Sequence, residues 1–153
     1  ARQFPTHGAY PKYKIVNLSN VVATQIPQAV GAALASKMRG EDVVTIVYFG
    51  DGASSAGDCH EAMNFAAIHR LPVVFFCENN GYAISVPISR QMAVDSIASR
   101  AQGYGMPGVV VDGCDVVSVY EATSEAARRA RAGQGPSLIE AWSANPLGND
   151  SFV

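Results

Sequence analysis

The pattern of hydrophobic and polar positions along the chain predicts helices that alternate with short buried strands. Residues 24–38 carry apolar and small residues at helical spacing, with Thr24 as the expected N-cap and Gly40 as the stop. Residues 43–49 form a continuous β-branched and aromatic run that is too short for a helix. Such a run is typical of a strand that is buried in a parallel sheet.

The same succession continues toward the end of the chain. The pattern predicts a helix over residues 58–69, strands over residues 72–77 and 109–111, a helix over residues 116–132 and a strand over residues 137–142. Because strands that alternate with helices of this length need crossover connections, we predict the α/β class, with a mostly parallel sheet and helices on both faces. Residues 1–20 show no period and are predicted to form a long loop.

Neither an internal repeat nor a linker interrupts this pattern, so we predict a single domain over residues 1–153. Within it, residues 1–22 are a loop-rich N-terminal part and residues 143–153 a divergent tail. Hydrophobic residues make up 48% of the chain and charged residues 16%, with a net charge of -2. Since ordinary domains carry about 25% charged residues, we expect part of the surface to lie against another subunit. We expect neither a nucleic acid nor a membrane as partner.

The cysteines indicate the compartment. Cys59, Cys77 and Cys114 stand at unrelated spacings without a metal-binding pattern, and we expect all three to be small buried residues. A reducing compartment fits them, either the cytoplasm of a bacterium or the mitochondrial matrix of a eukaryote. The chain opens at Ala1 without a methionine or a secretory segment, which indicates truncation.

Two loops that follow predicted strands carry the candidate chemistry. The first reads Gly-Asp-Gly-Ala-Ser-Ser-Ala-Gly over residues 50–57 and leads into a helix. Glycines let backbone N–H groups approach a phosphate, and a helix N-terminus adds positive potential, so this loop suits a diphosphate. The second loop reads Asn-Asn-Gly-Tyr over residues 79–82 and offers an amide oxygen and a carbonyl. Together with the Asp51 carboxylate these are hard oxygen donors, which magnesium prefers.

Other interpretations of these loops are possible. Gly-Asp-Gly and Asn-Asn-Gly are each ordinary turn signals, and only their joint position after neighbouring buried strands makes them specific. Asp51 as the nucleophile of a magnesium-dependent phosphotransferase is disfavoured, since haloacid-dehalogenase-like enzymes need a second Asp where Ala53 stands. A receiver domain would need acidic residues at the start of the first strand.

The sequence also resembles a known family. The run from the Gly-Asp-Gly turn to the Asn pair resembles the thiamine diphosphate motif, in which the pair follows the turn after about thirty residues. Further matching segments are similar to alpha subunits of branched-chain 2-oxo acid dehydrogenases and lie at residues 2–7, 23–31, 64–67, 80–85, 103–105, 111–113 and 135–141. The resemblance extends from the start of the chain to Trp142.

The resemblance implies roles for individual residues. It implies thiamine diphosphate as cofactor, with Gly50, Gly52, Ala53 and Asn80 among the residues that bind it, and magnesium bound by Asp51, Asn80 and the Tyr82 carbonyl. Asn20 and Val22 fall where the family contacts the aminothiazole or aminopyrimidine part of the cofactor. In some members the segment that corresponds to Ser19, Val21, Thr24 and Gln25 binds a potassium ion, for which helix capping is the alternative interpretation.

The implied function is the decarboxylating component of a 2-oxo acid dehydrogenase complex. It would oxidatively decarboxylate a small, branched-chain 2-oxo acid and pass the acyl group to the lipoyl group of an acyltransferase component. The chain would be the alpha subunit in a heterotetramer of two alpha and two beta subunits. Pyruvate and acetoin dehydrogenases share the cofactor motif and remain alternatives.

The sequence departs from the family pattern at two places. Glu78 stands where some members have a basic residue that touches the diphosphate, although others carry an acid. Beyond Trp142 the family continues into a His-Ser loop with a catalytic histidine, whereas this chain has a different sequence. A Tyr-Arg pair that the family places on the cofactor is also absent. We therefore assign no catalytic residue, and a non-catalytic fragment or paralogue that retains the fold and subunit contacts is the second hypothesis.

Overall fold

A four-stranded parallel sheet forms the centre of the protein. The computed structural model describes residues 8–16 and 20–143. The strands are β1 (Thr45–Gly50), β2 (Val73–Asn79), β5 (Gly108–Asp112) and β6 (Ser137–Trp142), in the order β1-β2-β6-β5. A short antiparallel pair, β3 (Tyr82–Ala83) and β4 (Val86–Pro87), follows β2. The α/β class and the parallel sheet are confirmed.

Three helices within the described ranges cover the sheet, and their bounds differ little from the predicted ones. They are α1 (Gln25–Met38), α2 (Gly57–Ile68) and α3 (Val116–Arg131). Short 3-10 turns lie at Pro11–Tyr13, Asp51–Ser55, Ile88–Arg90 and Ala98–Tyr104. The first of these, together with a bridge between Tyr10 and Ile15, gives local structure to part of the predicted N-terminal loop. Residues 1–7, 17–19 and 144–153, including the divergent tail, lie outside the described residues.

The core is divided between the two faces of the sheet. On one face, α1, α2 and the Ala98–Tyr104 turn pack on side chains that include Phe75 and Leu138. On the other face, α3 packs on a smaller cluster that includes Val74 and Ile139. Helices therefore cover both faces, as predicted.

The burial of each strand follows from its hydrophobic residues and from its position in the sheet. All five residues from Val73 to Cys77 in β2 are buried, because the strand is central and has a neighbour on each side. Cys59 and Cys77 are buried as expected. Cys114 is exposed, contrary to the prediction, because it lies in the turn between the edge strand β5 and α3. No helix within the described ranges is long and apolar enough to cross a membrane.

Candidate functional site

The Asp51 turn begins where β1 ends. Asp51 opens a 3-10 turn that runs to Ser55, and α2 starts two residues later at Gly57. The Asp51 side chain is only 3% exposed. Its Oδ2 accepts a hydrogen bond of 2.9 Å from Gln91 Nε2, which also donates to the Val86 carbonyl. Gln91 is neutral, so the negative charge of the Asp51 carboxylate stays available to a cation.

The structure brings the two predicted loops together. A Cβ atom added at Gly52 would lie 2.8 Å from Ala83 Cβ, which is closer than real Cβ atoms approach. The absence of a side chain at Gly52 is therefore what lets β3 lie against the turn. Gly50 is the last residue of β1, and Ala53 is buried inside the turn. Tyr82, as the first residue of β3, lies next to Ala83 in the same contact.

Local hydrogen bonds fix the conformation of the second loop. Asn79 Oδ1 accepts from the Gly81 N–H at 2.8 Å, and Asn80 Oδ1 accepts from the Tyr82 N–H at 2.9 Å. Gly81 has a φ of 83°, which a residue with a side chain rarely adopts. The Gly81 carbonyl then accepts from Ile88 N at 2.8 Å and ties the loop to the end of the β3-β4 pair. Asn80 and Tyr82 therefore have defined positions beside the Asp51 turn.

A buried carboxylate supports this loop and was not among the predicted site residues. Glu140 in β6 is fully buried and accepts from Asn79 Nδ2 at 2.6 Å and from Ala98 N at 2.8 Å. One sequence signal could have found it, because Glu140 is the one charged residue in the predicted strand 137–142. Charged side chains are almost never fully buried without partners.

The Ala98–Tyr104 turn supports the Asp51 turn from another side. Arg100 Nη1 donates to the Ser54 carbonyl at 2.8 Å and lies 3.2 Å from Ser54 Oγ. His60 Nδ1 is hydrogen-bonded to the Tyr104 hydroxyl, which joins α2 to the same segment. Neither Arg100 nor Gln91 was singled out from the sequence, since each comes from a segment without a clear period.

Acidic groups dominate the electrostatics of this edge of the sheet. Burial raises the pKa of the Cys77 thiol, and the negative charges of Glu140, Asp51 and Glu78 raise it further. Glu78 itself is exposed, and its strand position places it on the opposite face from Asn79. A region with several carboxylates attracts cations. No group of three or more His, Cys, Asp and Glu side chains in the described part of the chain could hold a metal ion, so a metal here needs amide and carbonyl ligands as well.

The start of α1 lies near the same edge of the sheet. Gln25 Nε2 is 3.3 Å from the Tyr48 carbonyl in β1, close to the Asp51 turn. Asn20 and Val22 precede this point and are exposed. Thr24 occupies the N-cap position, but its hydroxyl makes no capping bond and donates to the Val21 carbonyl at 2.9 Å. Thr24 is therefore the N-cap residue as predicted, but its side chain does not cap the helix. Ser19 lies outside the described residues.

The chain matches a known protein family over most of its length. The model of the family described as dehydrogenase E1 component matches residues 1–143. The chain belongs to this family. Membership in a family of dehydrogenase components excludes the phosphotransferase and receiver-domain interpretations.

Similar proteins have been described in bacteria and in mitochondria. The chain is 55% identical over 139 residues to the 2-oxoisovalerate dehydrogenase subunit alpha of Bacillus subtilis, covering 91% of this chain and 42% of that protein. It is 54% identical over 140 residues to the mitochondrial 2-oxoisovalerate dehydrogenase subunit alpha of Homo sapiens, covering 92% of this chain and 32% of that protein. The chain thus spans less than half the length of these relatives.

A solved structure has the same fold. It is a candidate thiamin diphosphate-dependent enzyme from Mycobacterium smegmatis, with a TM-score of 0.68 and 27% identity. The match covers 89% of this chain and 25% of that one. The thiamine diphosphate-binding fold expected from the sequence is therefore supported by structure as well as by sequence.

Proposed function

We propose that the chain forms the metal and diphosphate part of the site in the alpha subunit of a thiamine diphosphate-dependent 2-oxo acid dehydrogenase. The observation that carries this proposal is the contact between the Asp51 turn and β3. This contact supports the proposal because the Asp51 turn carries a buried carboxylate and the adjoining loop carries the Asn80 amide oxygen and the Tyr82 carbonyl, which together offer three oxygen donors. Magnesium prefers such donors and completes its coordination with phosphate oxygens and water.

The residues of this site fit the proposed groups. Asp51, Asn80 and the Tyr82 carbonyl would hold magnesium, while the backbone of Gly52 and Ala53 would face the diphosphate at the turn that leads into α2. Gly50 ends β1 directly before the carboxylate, and Asn20 and Val22 would contact the ring portion from the start of α1. When bound, thiamine diphosphate supplies the electron sink for decarboxylation of a 2-oxo acid. The chain contributes binding and orientation, and we propose no catalytic residue in it.

The substrate and partners follow from the relatives. The names of the relatives from Bacillus subtilis and Homo sapiens refer to 2-oxoisovalerate, which favours a branched-chain 2-oxo acid over pyruvate or acetoin. Both are alpha subunits, which supports a beta subunit as partner, in an assembly of two alpha and two beta chains. A lipoyl acyltransferase component would accept the acyl group. The compartment would be the cytoplasm in a bacterium or the mitochondrial matrix in a eukaryote.

Calorimetry with thiamine diphosphate tests the proposal directly. We expect binding by the full-length protein with its beta subunit to require magnesium, and Asp51→Ala to weaken it strongly. Asp42→Ala is the matched control, since Asp42 lies before β1 at the opposite end of the sheet. Its Oδ1 is 3.7 Å from Arg131 Nε. Magnesium-independent binding, or equal binding by the Asp51 variant, would contradict the proposed site. A folded assembly that binds no cofactor would favour the non-catalytic hypothesis.

A potassium site near the start of α1 is a separate part of the proposal. The Val21 carbonyl and the Thr24 hydroxyl are only 2.9 Å apart, so two oxygens of the implied set already lie together. Ser19 and Gln25 would complete the set. We expect thermal unfolding of the assembled protein to occur at higher temperature in KCl than in NaCl of equal ionic strength. Thr24→Val should remove that difference, and a difference that persists in the variant would count against the site.

A further inference from the structure

Glu140 connects both loops of the candidate site from inside the sheet. It lies near the carboxyl end of β6, in register with Cys77 of β2 and Val110 of β5. Its side chain is fully buried. Both of its carboxylate oxygens accept hydrogen bonds from N–H groups, one from Asn79 and the other from Ala98.

The first oxygen controls the orientation of the Asn79 amide. Because Asn79 Nδ2 donates to Glu140 Oε1, the amide oxygen of Asn79 points to the Gly81 N–H and accepts from it. That second bond holds Gly81 in its left-handed conformation. The residues on either side of Gly81 are Asn80 and Tyr82, the proposed magnesium ligands of this loop.

The second oxygen holds the segment that supports the Asp51 turn. Glu140 Oε2 accepts from the backbone N–H of Ala98, the first residue of the Ala98–Tyr104 turn. Two residues later, Arg100 donates to the Ser54 carbonyl inside the Asp51–Ser55 turn. One carboxylate is therefore linked to the Asp51 turn and to the Asn80 loop by short series of hydrogen bonds.

We propose that Glu140 is a positioning residue that sets the relative placement of the metal ligands Asp51, Asn80 and Tyr82. This inference rests on the proposed function, because it assumes that these residues bind magnesium. Glu140 acts on them through its hydrogen bonds to Asn79 and Ala98. Outer partners that orient metal ligands commonly change metal affinity by about 10–100-fold when they are altered.

Glu140→Gln is the single substitution that tests this positioning role most directly. Gln has nearly the same shape, but one of its two acceptor oxygens becomes an NH₂ donor. If that donor faces Asn79, the Asn79 amide must turn and present its own NH₂ group to the Gly81 N–H. If it faces Ala98 instead, two N–H groups oppose each other there. We expect the magnesium concentration needed for half-maximal binding of thiamine diphosphate to rise about tenfold or more.

Exchanging the acid and the amide between positions 140 and 79 should reverse the effect of Glu140→Gln. In the paired variant Glu140→Gln with Asn79→Asp, the new Gln NH₂ group donates to one oxygen of the new Asp, and its carbonyl oxygen accepts from Ala98. The other oxygen of the new Asp accepts from Gly81. All three hydrogen bonds are kept, and donor and acceptor are exchanged only in the bond between residues 79 and 140. We therefore expect the paired variant to recover the magnesium dependence of the unaltered protein.

The measurement is calorimetric titration of the full-length protein, assembled with its beta subunit, with thiamine diphosphate at several MgCl₂ concentrations. Leu138→Ala serves as the control, because Leu138 is a fully buried neighbour in β6 that makes none of these side-chain hydrogen bonds. It should lower the unfolding temperature without changing the magnesium dependence. The comparison separates positioning from a general loss of stability.

Each result of the titration either supports or overturns the positioning role of Glu140. Unchanged magnesium dependence in Glu140→Gln, or a change no larger than that in Leu138→Ala, overturns the inference. If Glu140→Gln does not fold, the paired variant decides, and failure of that variant to fold or to recover binding also overturns it. The proposed function is tested separately by Asp51→Ala. If that change leaves binding intact, the metal site itself is wrong, whereas an effect of Asp51→Ala without one of Glu140→Gln rejects only the role of Glu140.

Discussion

Gly52 and Ala83 lie so close together that Gly52 has no room for a side chain. The added Cβ at Gly52 would approach Ala83 Cβ to 2.8 Å and Ala83 Cα to 3.4 Å. The position of the Ala83 Cβ is fixed by its own backbone, so no side-chain rotation can relieve the 2.8 Å contact. The small size of both residues, rather than any polar interaction, is what allows the two loops of the site to lie together.

Gly52→Ala should therefore separate the Asp51 turn from β3. We expect a loss of about 1–3 kcal/mol in the free energy of unfolding, measured by urea denaturation, because the added methyl group overpacks the contact. Magnesium-dependent binding of thiamine diphosphate should weaken as well. Gly57→Ala is the control, since nothing lies within 4 Å of a Cβ at that position. Adding Ala83→Gly to the Gly52 variant should restore much of the loss, and no recovery would argue against this contact as the cause.

The cysteines give a second prediction at the same scale. Burial raises the pKa of Cys59 to about 12, and burial raises that of Cys77 as well, whereas Cys114 is exposed. Because the thiolate is the reactive form, iodoacetamide at about pH 8 should modify the folded chain at Cys114 alone. Mass spectrometry of peptides locates the adducts. Modification of all three cysteines should require denaturant, and reaction of Cys59 in the folded chain would contradict the burial described here.

At the scale of elements, α3 is a helix that the sequence alone predicts. Its bounds, Val116–Arg131, agree with the predicted helix to within one residue. Asp115 caps it by accepting from Val117 N at 3.0 Å and from the Ser118 hydroxyl at 2.7 Å. The cap, the periodic apolar face and the basic last turn are all local signals, so this helix needed no knowledge of its neighbours.

The Asp115 cap should make the stability of the chain depend on pH. The hydrogen bonds from Ser118 and Val117 hold the pKa of Asp115 below its ordinary value of 3.8. A carboxyl group with a lowered pKa in the folded state stabilises that state above its ordinary pKa, and this contribution is lost as the pH falls toward the folded value.

Asp115→Asn tests this dependence, because Asn caps a helix but does not titrate. We expect the chain to have a higher urea midpoint than the variant at about pH 6, and the difference to shrink as the pH is lowered toward about 2. Circular dichroism follows the unfolding. A difference that stays constant over this range would show that ionised Asp115 contributes no more than a neutral cap.

At the scale of the whole molecule, the sheet joins two unequal cores. Leu138 belongs to the larger cluster and Ile139, its neighbour in β6, to the smaller one. Both are fully buried, so β6 contributes to both cores at once. The exposed face of β1, where Tyr48 is 53% exposed, is not covered by α3 in the described chain.

Leu138→Ala should destabilise the whole chain by about 2–5 kcal/mol, because it leaves a cavity in the larger core. The matched control is Val110→Ala, since Val110 lies on the same sheet but is 48% exposed. We expect Val110→Ala to lower the free energy of unfolding by about 0.5 kcal/mol or less. Guanidinium unfolding of both variants measures the difference, and similar losses would mean that Leu138 is less important to the core than its burial indicates.

The sequence by itself determined the class of the fold, the order of the helices and long strands, and the two loops that follow β1 and β2. These features depend on local periodicity and on turn residues such as those at 50–52 and 79–81, which act over a few positions. Bounds shifted by one or two residues, because the end of a strand depends on the pairing partner that it finds. The short β3-β4 pair was missed, since two-residue strands leave no period to detect.

Only the tertiary structure decided which residues support the site. Asp51 lies forty positions from Gln91, and Asn79 and Glu140 are further apart still, at a sequence separation of 61. No local pattern connects such pairs, because their contact depends on the strand order β1-β2-β6-β5 that places the carboxyl ends of β2 and β6 side by side. The chemical groups of each loop therefore come from residues that are adjacent in the sequence. The alignment of the two loops depends on hydrogen bonds between residues that are close only in the folded sheet.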